Sequence, residues 1–371
     1  MKFLIITHVP HFIENNIFYA YSPYVREMNI WLKYVDEVII VAPVTHNFDP
    51  NIMLAYNKTK KITFIEVPSF DIMSLRGILK TILVLPYVSY QIIKGMMKAD
   101  HIHLRQAGNM GLLGSIYQIF FPNKKKTVKY AGSWIGFEGE PFTYKLQKFI
   151  VANSFLSRNL KVLAYGYWPN AGKNVLNFFT ATYHKNEIIE VPARKMQEPL
   201  KLLFVGTLTK RKRPFFVLEA ASKLKKLGIN VFLEFYGEGP EKDRINEFIK
   251  KNNLSNNVKL YGNKTKKEIV EAYQNAHFLI LPSNHEGWPK VVAEAMVWKC
   301  LPITTPVSAV PYMLGNGERG SLIEPTVEAI VDEIKFYLKN PEIYRQKVEA
   351  AHRWSKQFTL EKFEEEIKKL L

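Results

Sequence analysis

The chain has 371 residues, of which 47% are hydrophobic and only one, Cys300, is a cysteine. This length favours two domains, and a single cysteine excludes a disulfide framework within one chain and indicates a reducing compartment. The formal net charge of +17 suits phosphate-bearing substrates, an anionic membrane surface or nucleic acid. Because the basic clusters are short and form no recognition module, we expect no nucleic acid partner.

Apolar runs alternate with helical patterns through the first half of the chain. Met1 to Thr7 is too short for the core of a signal peptide and predicts a first strand instead. A loop rich in His, Pro and Asn follows, from His8 to Asn16. The pattern predicts strands at 2–6, 37–41, 62–67, 99–104 and 127–130, and helices at 24–31, 76–98 and 111–120.

The longest apolar run, residues 81–93, is shorter than the roughly 20 residues that cross a bilayer, and Pro86 interrupts it. The basic residues that flank this run are Arg76, Lys80, Lys94 and Lys98. Segment 76–98 is therefore either a core helix of the first domain or a basic amphipathic helix that lies on a membrane.

Residues 187–200 are polar, contain two prolines and predict a linker. A second alternation follows, with strands at 200–205, 231–236, 258–261, 278–281 and 301–304, and helices at 215–227, 241–251, 266–275, from 290 onward, 327–340, 341–354 and 358–371. We expect two doubly wound α/β domains, residues 1–190 with a terminal helix at about 355–371, and residues 191–354. Ligands of such sheets bind at the carboxyl ends of the strands.

The stretch from Ser283 to Met296 says most about function. It predicts a buried strand that ends before Pro282, a tight turn that holds Glu286, and a helix that holds Glu294. The free N–H groups of the first helical turn attract phosphate, and the carboxylates accept hydrogen bonds from hydroxyls. A nucleotide-sugar has both chemistries. The alternative is an ordinary helix with an acidic N-terminal turn.

A basic loop opens the second domain, directly after the strand at 200–205. Gly206 allows close approach of the backbone to a ligand, and the four cations from Lys210 to Arg213 suit a departing diphosphate. The alternative is a solvated basic turn. The Gly-rich turns at 236–240 and 261–263 are weaker signals, although a base could stack beside Asn263.

Polar and aromatic residues also follow two strands of the first domain. The residues predicted to contact the acceptor are His103, Arg105, Ser133, Trp134 and Glu138. Trp134 would stack on a sugar, and the charged groups would orient a hydroxyl or a phosphate. Each of these residue types is more often structural than functional. We find no metal-ligand cluster, no Ser-His-Asp order and no dinucleotide fingerprint after the first strand.

Together, these motifs resemble those of the family-four retaining glycosyltransferases of the bacterial surface-polysaccharide type. Glu286 and Glu294 match the E-x7-E motif, Gly206 with Lys212 matches the loop that grips the diphosphate, and residues 237–240 match the G-x-G-P turn. The resemblance implies a GT-B fold, in which two facing Rossmann-like domains are joined by a C-terminal crossover helix.

The resemblance also implies the activity. A sugar would pass from a UDP- or GDP-sugar to a hydroxyl of a glycan or lipid-linked glycan with retention of configuration, with no metal and no cofactor beyond the nucleotide-sugar. Glu286 and Lys212 would be catalytic, Glu294 would contact the ribose, and location would be cytoplasmic or peripheral at the inner face of the plasma membrane. The remaining donor-binding residues would be Gly206, Thr207, Arg211, Gly237, Asn263, Gly287, Trp288, Lys290 and Val291.

Four departures from the family pattern affect the predicted site. Thr207 stands where the family often has Arg, Pro289 lacks an N–H, and Ala131 stands where many members have His. The first loop, His8 to Asn16, lacks the Gly-Gly turn of many members. Two other functions stay open, a nucleotide-sugar epimerase or hydrolase on the same architecture, and a non-catalytic carbohydrate- or polyanion-binding protein.

Overall fold

The computed structural model describes residues 1–57, 60–70 and 75–371. They form two compact units, residues 1–179 with 362–371, and residues 180–361. The sequence prediction places the domain boundary at residue 190, whereas the first compact unit ends at Phe179. The reason is that the chain after Phe179 already bonds within the second unit, since the Leu360 amide donates to the carbonyl of Tyr183 at 2.9 Å.

The first unit is built on a parallel sheet of seven strands in the order β10-β9-β8-β7-β1-β4-β6. A small antiparallel sheet has the order β2-β3-β5. The strands are β1 Lys2–Ile6, β2 Phe12–Glu14, β3 Ile17–Tyr21, β4 Glu37–Ala42, β5 Met53–Ala55, β6 Lys61–Glu66, β7 His101–Gln106, β8 Lys125–Tyr130, β9 Leu160–Tyr165 and β10 Val175–Phe178. The helices are α1 Ser22–Trp31, α2 Leu75–Lys98, α3 Asn109–Tyr117 and α4 Phe142–Ala152.

The second unit holds a parallel sheet of six strands in the order β13-β12-β11-β14-β15-β16. The strands are β11 Leu200–Val205, β12 Val231–Tyr236, β13 Val258–Gly262, β14 Phe278–Leu281, β15 Leu301–Thr304 and β16 Ser321–Leu322. The helices are α5 Pro214–Lys226, α6 Lys242–Lys251, α7 Lys266–Asn275, α8 Lys290–Val297, α9 Val310–Met313, α10 Val327–Lys339 and α11 Pro341–Ser355. The last helix of the chain, α12 Leu360–Lys368, runs from the second unit into the first.

After Lys2, β1 is apolar along its length, as is β14, because helices cover both faces of the two parallel sheets. Four of the five residues of β1 and all four of β14 are buried. The two doubly wound domains predicted from the sequence are confirmed. Among the described residues, no helix is long and apolar enough to cross a membrane.

Several elements of the first unit do not appear in the sequence prediction. These are the small antiparallel sheet, α4, β9 and β10. The strands of the small sheet have only three to five residues and are largely unburied, so they carry little of the periodic signal on which the prediction rests. In the second unit, β11, β12, β14, β15 and α7 have the predicted bounds.

Each sheet contains one point where the direction of winding reverses. In the first unit the chain winds from β1 to β4 and β6, and then returns to place β7 on the other side of β1. In the second unit it winds from β11 to β12 and β13, and then places β14 on the other side of β11. The loops after the two strands at such a switch point separate and leave a crevice for a ligand.

Candidate active site

The crevice of the second unit lies between the loops that follow β11 and β14. Gly206 directly follows β11 and has a φ of +147°. A Cβ atom there would come within 3.2 Å of the Lys212 side chain. Gly206 therefore lets the aliphatic part of Lys212 fold back over the end of the strand. This contact explains physically why glycine and lysine occur at this spacing.

Lys212 and Glu286 meet across this crevice. The Lys212 Nζ lies 2.8 Å from Glu286 Oε1, and both side chains are mostly buried. The Ser283 hydroxyl donates to the same carboxylate oxygen at 2.8 Å, while the Thr305 hydroxyl donates to the carbonyl of Ser283 at 2.5 Å. The two residues that the sequence singles out as catalytic are thus brought together by the switch point.

Glu294 lies on α8 and is held by two hydroxyl groups. The Thr182 Oγ1 donates to its Oε1 at 2.7 Å, and the Tyr273 hydroxyl donates to its Oε2 at 3.2 Å. Burial, followed by the charge of Glu294, raises the pKa of Tyr273 well above its ordinary value. Tyr273 therefore stays protonated and keeps donating, which fixes the carboxylate in place.

The basic loop also fixes the backbone of the Glu286 turn. The Asn284 amide donates to the carbonyl of Arg211 at 2.8 Å, and the Arg211 Nη1 donates to the carbonyl of His285 at 3.1 Å. The Arg213 Nη2 donates to Asn284 Oδ1 at 3.1 Å. Lys212 is paired with the carboxylate of Glu286, whereas Arg211 and Arg213 bond to neutral groups of the same turn, so the loop keeps an excess of positive charge that suits an anion.

The turn at 237–240 packs directly against the β11 loop. A Cβ atom on Gly237 would lie 2.1 Å from the carbonyl oxygen of Gly206, and one on Gly239 would lie 2.4 Å from that of Leu208. Only glycine allows this approach. The turn supports the β11 loop from below. The two glycines of the G-x-G-P turn are therefore explained by this close approach of two backbones.

The remaining predicted donor residues have different surroundings. Thr207 and Asn263 are exposed beyond the carboxyl ends of β11 and β13, and Lys290 and Val291 are half-buried in the first turn of α8. The Gly287 carbonyl accepts from the Ala309 amide at 3.4 Å. Trp288 is only 6% exposed because its ring packs against those of Tyr312, Trp354 and Phe358, so it has little surface left for a ligand.

His103, predicted to contact the acceptor, lies in the interior of the first unit. Its ring is fully buried against Trp31 and Phe3, and its Nδ1 shares the Thr127 hydroxyl at 2.9 Å. Burial lowers its pKa to about 3. These surroundings do not support a role in ligand binding, because no part of the ring reaches the surface.

Arg105 has surroundings that suit its predicted role better. Its guanidinium lies over the ring of Tyr24 at 4.8 Å, and its Nε and Nη1 have no hydrogen-bond partner among the described residues. Burial, followed by the charge of Arg105, lowers the pKa of His8 to about 4. Both of these Arg105 atoms are buried, but the residue as a whole is only half-buried, so its positive charge beside a neutral imidazole suits an anionic ligand.

The loop after β8 holds the other predicted acceptor residues. The buried Ser133 donates to the carbonyl of Gly136 at 2.9 Å, and the half-buried Trp134 packs its ring edge-on to Tyr130. Glu138 is exposed. Ser133 therefore stabilises the loop, while Trp134 and Glu138 keep surface for a ligand.

A cavity of about 370 Å³ lies at the switch point of the first unit and is absent from the sequence prediction. His8 follows β1 and Gly108 follows β7, and a Cβ atom on Gly108 would lie 2.9 Å from the His8 Nδ1. The other lining residues are Pro43, Pro68, Ser69, Phe70, Ala107, Asn109, Met110, Pro141, Thr143 and Tyr144. Pro43 and Ala107 directly follow β4 and β7, so the predicted ends of these strands were a signal that could have located the cavity.

Within residues 1–57, 60–70 and 75–371, no three His, Cys, Asp or Glu side chains are grouped so that they could hold a metal ion.

The comparisons with known proteins agree with this geometry. Residues 185–356 match the family described as glycosyl transferases group 1. That range contains β11 to β16 and every residue of the Lys212–Glu286 crevice.

Residues 185–356 are similar to a glycosyl transferases group 1 domain, and we refer to them below as the group 1 domain.

Curated relatives match only part of this chain. An uncharacterized glycosyltransferase of Methanocaldococcus jannaschii is 29% identical over 43% of this chain and 44% of its own length. The putative colanic acid biosynthesis glycosyltransferase WcaL of Salmonella typhimurium is 28% identical over 34% of this chain and 32% of its own. The matched regions thus span less than half of these relatives.

Solved structures match the fold of the entire chain, including the group 1 domain. Sucrose-phosphate synthase from Thermosynechococcus elongatus aligns with a TM-score of 0.71 over 100% of this chain and 98% of its own, at 17% identity. Anabaena HepE in complex with UDP and glucose aligns with a TM-score of 0.69 over the same shares, at 13% identity. The predicted GT-B fold class is confirmed.

Proposed function

We propose that this chain is a metal-independent, retaining glycosyltransferase that moves a sugar from a nucleotide-sugar to a hydroxyl of a glycan or lipid-linked glycan. We place its activity at the inner face of the plasma membrane, in surface-polysaccharide synthesis. The observation that carries the proposal is the contact between Lys212 and Glu286 at the switch point of a group 1 domain. The relative named for colanic acid biosynthesis supports the polysaccharide part.

The chemistry assigned to the crevice needs no group beyond the chain and its two substrates. The bond between the sugar C1 and the phosphate oxygen breaks, and a bond from C1 to the acceptor oxygen forms on the same face. The acceptor proton passes to the departing phosphate oxygen. Lys212 has three N–H groups, of which one serves Glu286, so the others are available to stabilise the diphosphate as its charge grows.

The two carboxylates take the hydroxylated ends of the donor. Glu286 would accept hydrogen bonds from the donor sugar, and Glu294 from the ribose. The first-turn N–H groups of α8 would bind the diphosphate between them. Since Anabaena HepE has been solved with UDP and with UDP-glucose, UDP-sugars are the first donors to test, ahead of GDP-sugars.

We assign the acceptor to the cavity of the first unit. Its lining is largely apolar, with polar groups from His8 and Asn109 among its members, and such a surface suits the face of a sugar ring. The half-buried Arg105 would place its positive charge beside an acceptor that carries phosphate. The half-buried Trp134 and the exposed Glu138 would contact parts of the acceptor outside the cavity.

The decisive experiment compares two lysines that both lie near β11. Lys212→Met should lower kcat/KM about 100-fold or more, because it removes a charge that stabilises the transition state. Lys201→Met should keep wild-type kinetics, since Lys201 is exposed at the opposite, amino end of the same strand. The readout is transfer from UDP-sugars to glycan acceptors, with the anomeric configuration of the product followed by NMR.

Other outcomes of that assay would contradict the proposal in distinct ways. Isomerised or free sugar formed from donor alone would indicate an epimerase or a hydrolase. Binding of donor without turnover would indicate a carbohydrate-binding protein, and an inverted product would overturn retention alone.

A further inference from the structure

Helix α2 presents an apolar stripe outward from the first unit. Leu79, Leu83, Tyr90 and Met97 are 64%, 80%, 58% and 59% exposed. At 3.6 residues per turn these four positions fall on one side of the helix, and the exposed Ile82 and Tyr87 lie beside them. A surface helix ordinarily turns charged groups to water, so a contiguous apolar stripe marks an interaction site.

The opposite side of α2 is locked into the core. Val88, Ile92 and Met96 are fully buried in the cluster that includes Leu4 and Val41. The C-terminal end is also fixed, because the Lys124 Nζ donates to the carbonyls of Met96 and Met97 at 2.7 and 2.8 Å. The helix therefore cannot rotate to hide its stripe, and the exposure of the four residues is a stable property of the unit.

A row of lysines runs along one edge of the stripe. Lys80 and Lys98 are 18 residues apart, which is five helical turns, and Lys94 lies on the same edge one turn before Lys98. Residues 75–98 contain no Asp or Glu. None of these three lysines forms an ion pair in the part of the chain that the structure describes. The stripe is therefore bordered by uncompensated positive charge.

We propose that α2 is a docking surface for an anionic lipid bilayer, with the helix lying in the plane of the interface. Its apolar stripe would enter the acyl boundary while the lysine row contacts acidic headgroups. This docking proposal rests on the proposed function. Binding of α2 to the bilayer would bring the enzyme to the surface that holds a lipid-linked acceptor.

A second copy of the chain suits the stripe less well. Two α2 faces packed together would bring two rows of lysines into one interface, and α2 contains no carboxylate to balance them. An anionic bilayer supplies the missing charge. With 24 residues, α2 is about 36 Å long, so several headgroups can contact it at once.

The test is co-sedimentation of the full chain with vesicles of phosphatidylglycerol and phosphatidylcholine, compared with vesicles of phosphatidylcholine alone. The wild type should bind the anionic vesicles far better. Leu83→Glu should lower the partition coefficient roughly tenfold or more, whereas Leu227→Glu should not change it, since Leu227 is an equally apolar, exposed residue of the second unit.

A series of lysine substitutions separates the electrostatic contribution of the lysine row from the apolar contribution of the stripe. Replacing Lys80, Lys94 and Lys98 by Gln should weaken binding by about fivefold per lysine. Replacing the exposed Lys226, Lys250 and Lys251 of the second unit should leave it unchanged. Added salt should weaken the wild type towards the level of the triple variant.

Binding of UDP, measured by thermal shift, keeps this proposal distinct from the proposed function. Intact UDP binding without sedimentation of the wild type would overturn only the docking surface. Sedimentation without binding of either UDP or GDP would overturn only the transferase. A dimer that Leu83→Glu converts to a monomer, with no vesicle binding by the wild type, would assign the stripe to self-association and end the membrane proposal.

Discussion

At the scale of single residues, three histidines of the first unit are buried in neutral form. Burial lowers the pKa of His11 and His101 to about 4 and that of His103 to about 3. The Thr127 hydroxyl lies 2.9 Å from both His101 Nε2 and His103 Nδ1. Since one hydroxyl has one hydrogen, it donates to one ring and accepts from the other, which links the two tautomers.

This arrangement predicts acid sensitivity. The unfolded chain binds protons at these rings below about pH 6.5, whereas the folded chain does so only near pH 3 to 4. The free energy of unfolding is therefore greatest above pH 6.5 and falls as the pH drops towards 4. Each histidine accounts for a loss of about 2 kcal/mol at about pH 5.

A substitution checks the source of this pH dependence. His103→Leu should lose about 2 kcal/mol less than the wild type between about pH 7 and pH 5, as measured by denaturant unfolding at each pH. His46→Gln, at an exposed histidine of the same unit, should follow the wild-type curve. Equal slopes for His103→Leu and the wild type would show that this ring is already protonated in the fold.

At the scale of elements, the crevice depends on how closely two loops approach. The β11 loop can carry Lys212 to Glu286 only because the turn after β12 has no side chain at Gly237 to push it away. The parallel register brings these loops to the same edge, since Val205 of β11 lies opposite Tyr236 of β12. Sheet register and glycine placement thus act together on one contact.

Gly237→Ala should damage both stability and donor binding. Its φ is +131°, and the new Cβ would lie 2.1 Å from the Gly206 carbonyl oxygen, so we expect a loss of about 2–4 kcal/mol. Gly228→Ala is the matched control, because its φ of +82° is also unfavourable but nothing lies within 4 Å. It should cost only about 1 kcal/mol.

Thermal unfolding and UDP binding of the two variants provide the readout. If Gly228→Ala were as destabilised as Gly237→Ala, backbone strain alone would explain both, and the close approach of the loops would have no role.

At the scale of the whole molecule, the two units share the same doubly wound topology. Each unit has a parallel sheet with one switch point, and at each switch point a glycine at a strand end approaches a side chain that is chemically useful, His8 in the first unit and Lys212 in the second. The second-unit crevice carries the Lys212–Glu286 ion pair and two further arginines, whereas the first-unit cavity is mostly apolar. This difference supports the assignment of the nucleotide-sugar to one and the acceptor to the other.

Hydrogen exchange on the full chain tests that division. UDP should slow exchange in residues 206–213 and 283–297, because ligand binding suppresses local opening where the ligand makes its contacts. The first-unit cavity should exchange at the same rate with and without UDP. Lys212→Met should abolish the protection, and protection confined to the first unit would reverse the assignment.

The sequence by itself determined the elements that carry regular apolar patterns, and therefore the fold class. Each of these features is local in the chain, so the sequence shows it without the fold. Examples are the strands β11 and β14 and the E-x7-E spacing. It also placed Lys212 and Glu286 in loops that follow strands, which was enough to select them as candidates. Short irregular strands such as β2 and β5 were missed because their stability comes from pairing rather than from their own pattern.

Only the tertiary structure decided which candidates have access to a ligand. His103 and Trp288 occur in promising motifs, yet packing against Trp31 and Trp354 removes them from solvent. Conversely, His8 meets Gly108 and α2 keeps its stripe exposed through contacts between residues distant in the chain. The burial of a side chain depends on neighbours that are distant in the chain. A local sequence pattern does not show which residues these neighbours are.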